Sequence, residues 1–70
     1  MSHTYKLTEL VGSSTVSSDD AIQNAIAAAG MSMEHMGWFE VVETRGHIDN
    51  GTIAHWQVTV KIGFRIKGGD

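Results

Sequence analysis

An α+β fold in the order strand, helix, strand, strand follows from three features of this chain. Residues 21–29 repeat small and apolar side chains at helical spacing, behind two serines and two aspartates. Residues 54–66 alternate apolar and polar side chains almost without a break. Between two strand-like runs stands Asn50-Gly51, a pair that favours a two-residue hairpin turn because both positions tolerate positive φ.

The first strand is expected over residues 3–11, where Tyr5, Leu7 and Val11 stand against Thr4, Lys6 and Thr8, and it is expected to end at Gly12. Residues 12–18 then read as a turn-rich connection. A phosphate-cradling loop needs spaced glycines followed by Lys-Ser or Lys-Thr, and this stretch has a single glycine. Ser17 or Ser18 caps the helix, and Asp19 and Asp20 complement the positive end of its dipole. The helix is expected from residue 21 to about 36, with Ala21, Ile22, Ala25, Ile26 and Ala29 on the buried face. Gly30 weakens it by about 1 kcal/mol relative to alanine. Met31, Met33 and Met36 suit core filling better than a pliable binding surface.

The second and third strands are expected over residues 38–49 and 52–66. At about 3.3 Å per residue the latter is roughly 50 Å long, against a diameter of about 22 Å for a compact chain of this size. Such a strand either curls around the helix or reaches beyond its own subunit. A two-residue turn also sets a register in which paired numbers sum to 101. Phe39 then faces Ile62, Val41 faces Val60 and Glu43 faces Val58 on the helix side. Trp38 faces Gly63, Glu40 faces Lys61, Val42 faces Thr59 and Thr44 faces Gln57 on the other.

Composition narrows the function. The 70 residues form a single domain, 1–70, with no cysteine, no proline, a net charge of -3 and 41% hydrophobic content. Without cysteine there is no disulfide scaffold and no thiolate chemistry, which fits a reducing cytoplasm. No apolar stretch approaches the ~20 residues of a membrane span, and the amino terminus is too polar for a secretory signal. The acidic balance argues against nucleic acid as a partner. Ordering so short a chain costs on the order of 100 kcal/mol, at about 1.5 kcal/mol per residue. Its own core is small. Self-association is therefore expected.

Trp38 is the most informative side chain. An indole opposite a glycine leaves a flat surface beside empty space, suited to a planar ligand or to burial in a subunit interface. Gln57 lies on the same face and offers a donor and an acceptor. Six rows, roughly 20 Å, separate it from Trp38. One ligand ring reaches both only when they come from different subunits. Arg45 is expected opposite Trp56, in reach of a cation–π contact or a phosphate. Arg65, Lys67 and Lys6 form a modest positive region near the strand ends. His47 and His55 are expected on opposite faces and His3 and His35 stand apart, so no metal site is expected. No nucleophile has a base and an orienting group at a useful spacing, so no enzymatic activity is expected.

Several runs taken together resemble the dodecins: Lys6-Leu7-Thr8-Glu9-Leu10-Val11-Gly12-Ser13-Ser14, Asp20-Ala21-Ile22-Gln23-Asn24-Ala25-Ile26, Trp38-Phe39-Glu40-Val41, Arg45-Gly46-His47-Ile48, Ala54-His55-Trp56-Gln57-Val58 and Gly63-Phe64-Arg65. The likeness covers almost the whole chain in unbroken order. It implies a three-stranded antiparallel sheet curled around one helix, and twelve copies forming a hollow dodecameric shell. It also implies flavins bound in pairs at subunit interfaces, their rings held between tryptophans of neighbouring chains.

By that likeness Trp38 is the stacking residue, Gln57 bonds the flavin ring and Arg45 lies near the flavin's tail. Arg65 and Lys6 correspond to positions associated with the phosphates of FMN or coenzyme A. The implied function is flavin storage, sequestration and photoprotection, with FMN, riboflavin or FAD as ligand. The alternative is a coenzyme A-binding or structural shell whose tryptophans only pack interfaces. The stretch from Met31 to Gly37 departs from the family's usual pattern, as does the loop from Ser13 to Ser18.

Overall fold

In a computed structural model that describes residues 3–66, the serine-rich stretch turns out to be a joint between strand and helix. Strand β1 spans Tyr5–Ser14, helix α1 Ser18–Ala29, strand β2 Met36–Asp49 and strand β3 Thr52–Arg65. Ser17 is the N-cap, its hydroxyl accepting from the Asp20 backbone N–H at 3.0 Å. Ser14 donates its hydroxyl to the Asp20 carboxylate at 2.6 Å and accepts from the Val16 N–H at 2.9 Å. The end of β1 is thereby tied to the first turn of α1.

Strand β1 runs through Gly12 rather than ending there, and the reason is packing. A Cβ at position 12 would overlap the Ala21 carbonyl and lie 2.9 Å from the Ala25 Cβ. Glycine lets the alanine face of the helix sit directly on the strand. The helix is also shorter than expected, ending at Ala29 rather than near residue 36. Backbone bonds from Met31 to Ala28 and from Ser32 and Met33 to Ala29 close it into a turn. Gly30 marks the exit, and Met36 already belongs to β2. Met33 and Met36 still pack against the core, whereas Met31 is exposed.

The sheet is open and antiparallel throughout, in the order β1-β3-β2. Helix α1 lies on one face, and Ala21, Ala25 and Ala29 meet Val58, Val60 and Ile62 in the core. Leu10, Ile22 and Ile26 flank them. The molecule measures 53 × 20 × 13 Å, in line with the length expected of the third strand. Its radius of gyration of 14.4 Å exceeds the value of about 11 Å for a compact chain of this size.

The hairpin turn forms as expected, with φ of 51° at Asn50 and 76° at Gly51. The register departs from the simple sum in the middle of the hairpin. Asp49 opposes Thr52 and Ile48 opposes Ile53, but His47 then opposes His55, Arg45 opposes Gln57 and Glu43 opposes Thr59. An irregularity between Val41 and Glu43 restores the expected pairs, Val41 with Val60, Glu40 with Lys61, Phe39 with Ile62 and Trp38 with Gly63. Ala54 and Val42 are the extra residues, one on each strand, and their shifts cancel.

Three corrections follow. Arg45 stands opposite Gln57, not Trp56, and Glu43 leaves the helix side of the sheet. His47 and His55 share a face, their rings stacked at 4.4 Å between centroids.

Candidate functional site

The face of the sheet turned away from α1 carries Trp38, Arg45, Gln57 and Arg65 of the residues singled out from the sequence, whereas Lys6, paired with Phe64, falls on the helix side. Successive strand side chains alternate between faces, so Gln57, Thr59, Lys61, Gly63 and Arg65 of β3 share this side while Val58, Val60 and Ile62 point into the core. Trp38, Glu40, Glu43 and Arg45 of β2 join them through their pairings. Two clusters result, one at each end of the covered part of the sheet.

In the first cluster the Trp38 indole lies across β3 over Gly63. A Cβ on residue 63 would overlap the Cζ2, Cε2 and Cη2 atoms of the ring, so the glycine makes the seat in which the indole rests. Tyr5, on β1, holds its ring 5.0 Å from the indole at an interplanar angle of 59°. The indole remains 45% exposed even so, a large aromatic surface available for stacking. On the helix side of β2 an apolar cleft of about 240 Å³ opens between that strand and α1, lined by Ile26, Met36, Phe39 and Ile62.

Arg65 pairs with Tyr5, and Lys6 pairs with Phe64, so both cations reach the same end of the sheet on adjacent strands. They line a groove of about 450 Å³ together with Ser32, Glu34 and His35. The Arg65 backbone N–H donates to the His35 carbonyl at 3.1 Å, fixing the strand end against the segment that follows the helix. Lys67, expected to extend this positive region, lies outside the described residues.

The second cluster is polar and bonded within itself. Arg45 donates through Nε to the Gln57 Oε1 at 3.2 Å and through Nη1 to the Glu43 carboxylate. The His47 Nε2 stands 3.4 Å from the same Gln57 oxygen, and His55 stacks on His47. These partners were hidden because they depend on the register shift between residues 42 and 54. Tyr5 was hidden because no short turn links β1 to β3 and fixes their pairing. A sequence signal for it did exist, an aromatic at the start of a strand otherwise rich in aliphatic residues.

Gln57 and Gly63 are six residues apart on one strand, about 20 Å at strand rise. The Trp38 and Gln57 clusters therefore sit too far apart within one chain to grip a single ring. Among the described residues no three His, Asp or Glu side chains converge as metal ligands. The described residues also include no helix long and apolar enough to cross a membrane.

Comparison with known proteins places this architecture. The family model described as Dodecin matches residues 4–67. A dodecin of Thermus thermophilus is 42% identical over 67 residues, covering 96% of this chain and 97% of that one. The solved dodecin from Streptomyces davaonensis superposes with a TM-score of 0.91 at 49% identity, covering 96% of this chain and 98% of its own. The dodecin from Streptomyces coelicolor gives 0.89 at 46% identity, covering 93% of each chain.

Proposed function

This chain belongs to the dodecin family, and on that premise we propose that it stores and sequesters flavin in the cytoplasm, without turnover. Flavin pairs stack between Trp38 side chains at subunit interfaces of a homododecamer. FMN is the leading ligand, with riboflavin and FAD as others of the same ring. The observation that carries this reading is the half-exposed indole seated over Gly63, with its hydrogen-bonding counterpart Gln57 out of reach on the same chain. A planar ligand that uses both must lie between subunits.

The energetics suit storage. Each aromatic pair adds about 0.5–1.5 kcal/mol beyond burial, and Gln57 supplies bonds at the ring edge. Arg45 belongs to the amide half of the site. Lys6 and Arg65 offer charge complementary to the phosphates of FMN or of coenzyme A. Electron transfer from the indole to the excited ring quenches it, which protects bound flavin from photochemistry. Because the site is complete only in the assembly, flavin stabilises the oligomer by mass action.

The test is a titration of ligand-free protein with riboflavin and FMN, followed by flavin emission. Emission is expected to fall on binding and to recover on denaturation. Trp38→Ala is expected to abolish quenching while the assembly survives on a sizing column. A wild-type protein that quenches neither flavin would replace this reading with the coenzyme A-binding shell.

A further inference from the structure

We infer that Arg45 is a positioning residue that acts on the ligand through Gln57, turning its amide so that the NH₂ group faces the ring edge. Where the ligand lies is taken from the reading above. The orientation of the amide stands on this chain's own hydrogen bonds.

A guanidinium has five donors and no acceptor. Whichever amide atom of Gln57 faces Arg45 must therefore be the oxygen, and the choice between oxygen and nitrogen is settled by chemistry. The Arg45 Nε lies 3.2 Å from that oxygen, and its Nη1 is held by Glu43, two residues earlier on the same strand. The planar fork is thus fixed at both ends. The His47 Nε2 approaches the same oxygen at 3.4 Å, and in the tautomer protonated there it donates to the second lone pair.

With its oxygen turned to Arg45, the amide has its nitrogen to offer to a ligand. Neither N–H of that nitrogen has a bonded partner among the described residues. The half-site therefore presents a donor, and it selects ring edges that accept: a carbonyl oxygen or an unprotonated ring nitrogen. The dione edge of an isoalloxazine meets that requirement. The pairing of Arg45 with Glu43 also draws its charge away from a ligand phosphate, so the residue serves phosphorylated and unphosphorylated ligands alike.

The experiment measures riboflavin and FMN affinities of the assembled wild type, Arg45→Ala, Gln57→Ala and the double variant. Arg45→Ala is expected to weaken both flavins equally, by up to roughly tenfold, the scale of one hydrogen bond from the Gln57 amide. It is expected to cost nothing further once Gln57 is alanine. Arg45→Lys, which keeps one donor without the fork, is expected to restore part of the loss. Gln57→Glu keeps the bond from Arg45 but removes the donor, and is expected to bind more weakly than Gln57→Ala.

A loss confined to FMN, or one of full size in the Gln57→Ala background, would overturn the inference and assign Arg45 to the phosphate. Flavin affinity undiminished by Gln57→Glu would also overturn it. Should wild-type protein bind neither flavin, the storage reading fails while the amide's orientation is still tested in ligand-free crystals. There, Gln57 is expected to leave its rotamer in Arg45→Ala, and an unchanged rotamer counts against the inference.

Discussion

Under α1, Val58, Val60 and Ile62 of β3 are at most 2% exposed, while beyond the helix, towards the turn, Ile53 of the same strand and Ile48 of β2 are 53% and 78% exposed. The difference arises from cover. Strand β1 pairs with β3 only as far as Ser14 and Trp56, so the sheet has three strands up to that row and two beyond it. The root of the molecule buries its own apolar surface against an alanine face. The tip is a two-stranded ribbon, which is marginal in water by itself. It also carries apolar side chains that only another surface can bury.

The two halves of the proposed ligand site are distributed along this same axis. Trp38 belongs to the root, in a seat built by Gly63 and Tyr5. Gln57 stands near the last three-stranded row, where hydrogen bonds to neighbouring side chains hold it in place of packing. One half is positioned by shape and the other by charge-assisted bonding.

Three glycine substitutions sharpen the contrast. Gly12→Val strikes the root hardest, because its side chain would overlap backbone of α1 that cannot move independently of the core. A loss of about 3 kcal/mol, at the upper end for overpacking, is expected. Thermal melting should show the largest fall of the three, with little folded protein recovered. A variant as stable as wild type would mean that the helix does not rest on β1.

Gly63→Ala separates site from fold. Its methyl group would displace the indole, the far end of a half-exposed side chain, so the structure should lose only about 1 kcal/mol. Far-UV circular dichroism should be retained while flavin quenching disappears. Quenching at wild-type strength would show that the seat over residue 63 is not what presents Trp38.

Gly51→Ala should do least. At φ of 76° an alanine is strained by about 1 kcal/mol, and nothing lies within 4 Å of its Cβ. Hydrogen exchange should quicken near the turn and remain slow in Val58, Val60 and Ile62. Loss of protection throughout the sheet would dissolve the distinction between root and tip.

The sequence showed most of the fold because its strongest signals were local. The alanine stripe, the serine cap, the alternation of β3 and the Asn50-Gly51 turn each act within a few residues. The helix end was misplaced because Gly30 and the methionines after it are compatible with a helix, and only the return of the chain into β2 stops it. The pairing of Trp38 with Gly63 was legible despite the irregularities, since the shifts at Ala54 and Val42 cancel before that row. The pairing of Arg45 with Gln57 was not, because it lies between them.

The amino-acid order by itself determined which residues form helix and strand, which apolar stripes seek cover, and where the hairpin turns. Those outcomes depend on periodicity and backbone preference, which act over a few residues at a time. Only the tertiary structure decided what sits beside Gln57, how Tyr5 meets Trp38 and where the helix gives up its cover of the sheet. These depend on register and on the approach of segments distant along the chain, and a single extra residue in a strand shifts its partners by one row without altering the local pattern.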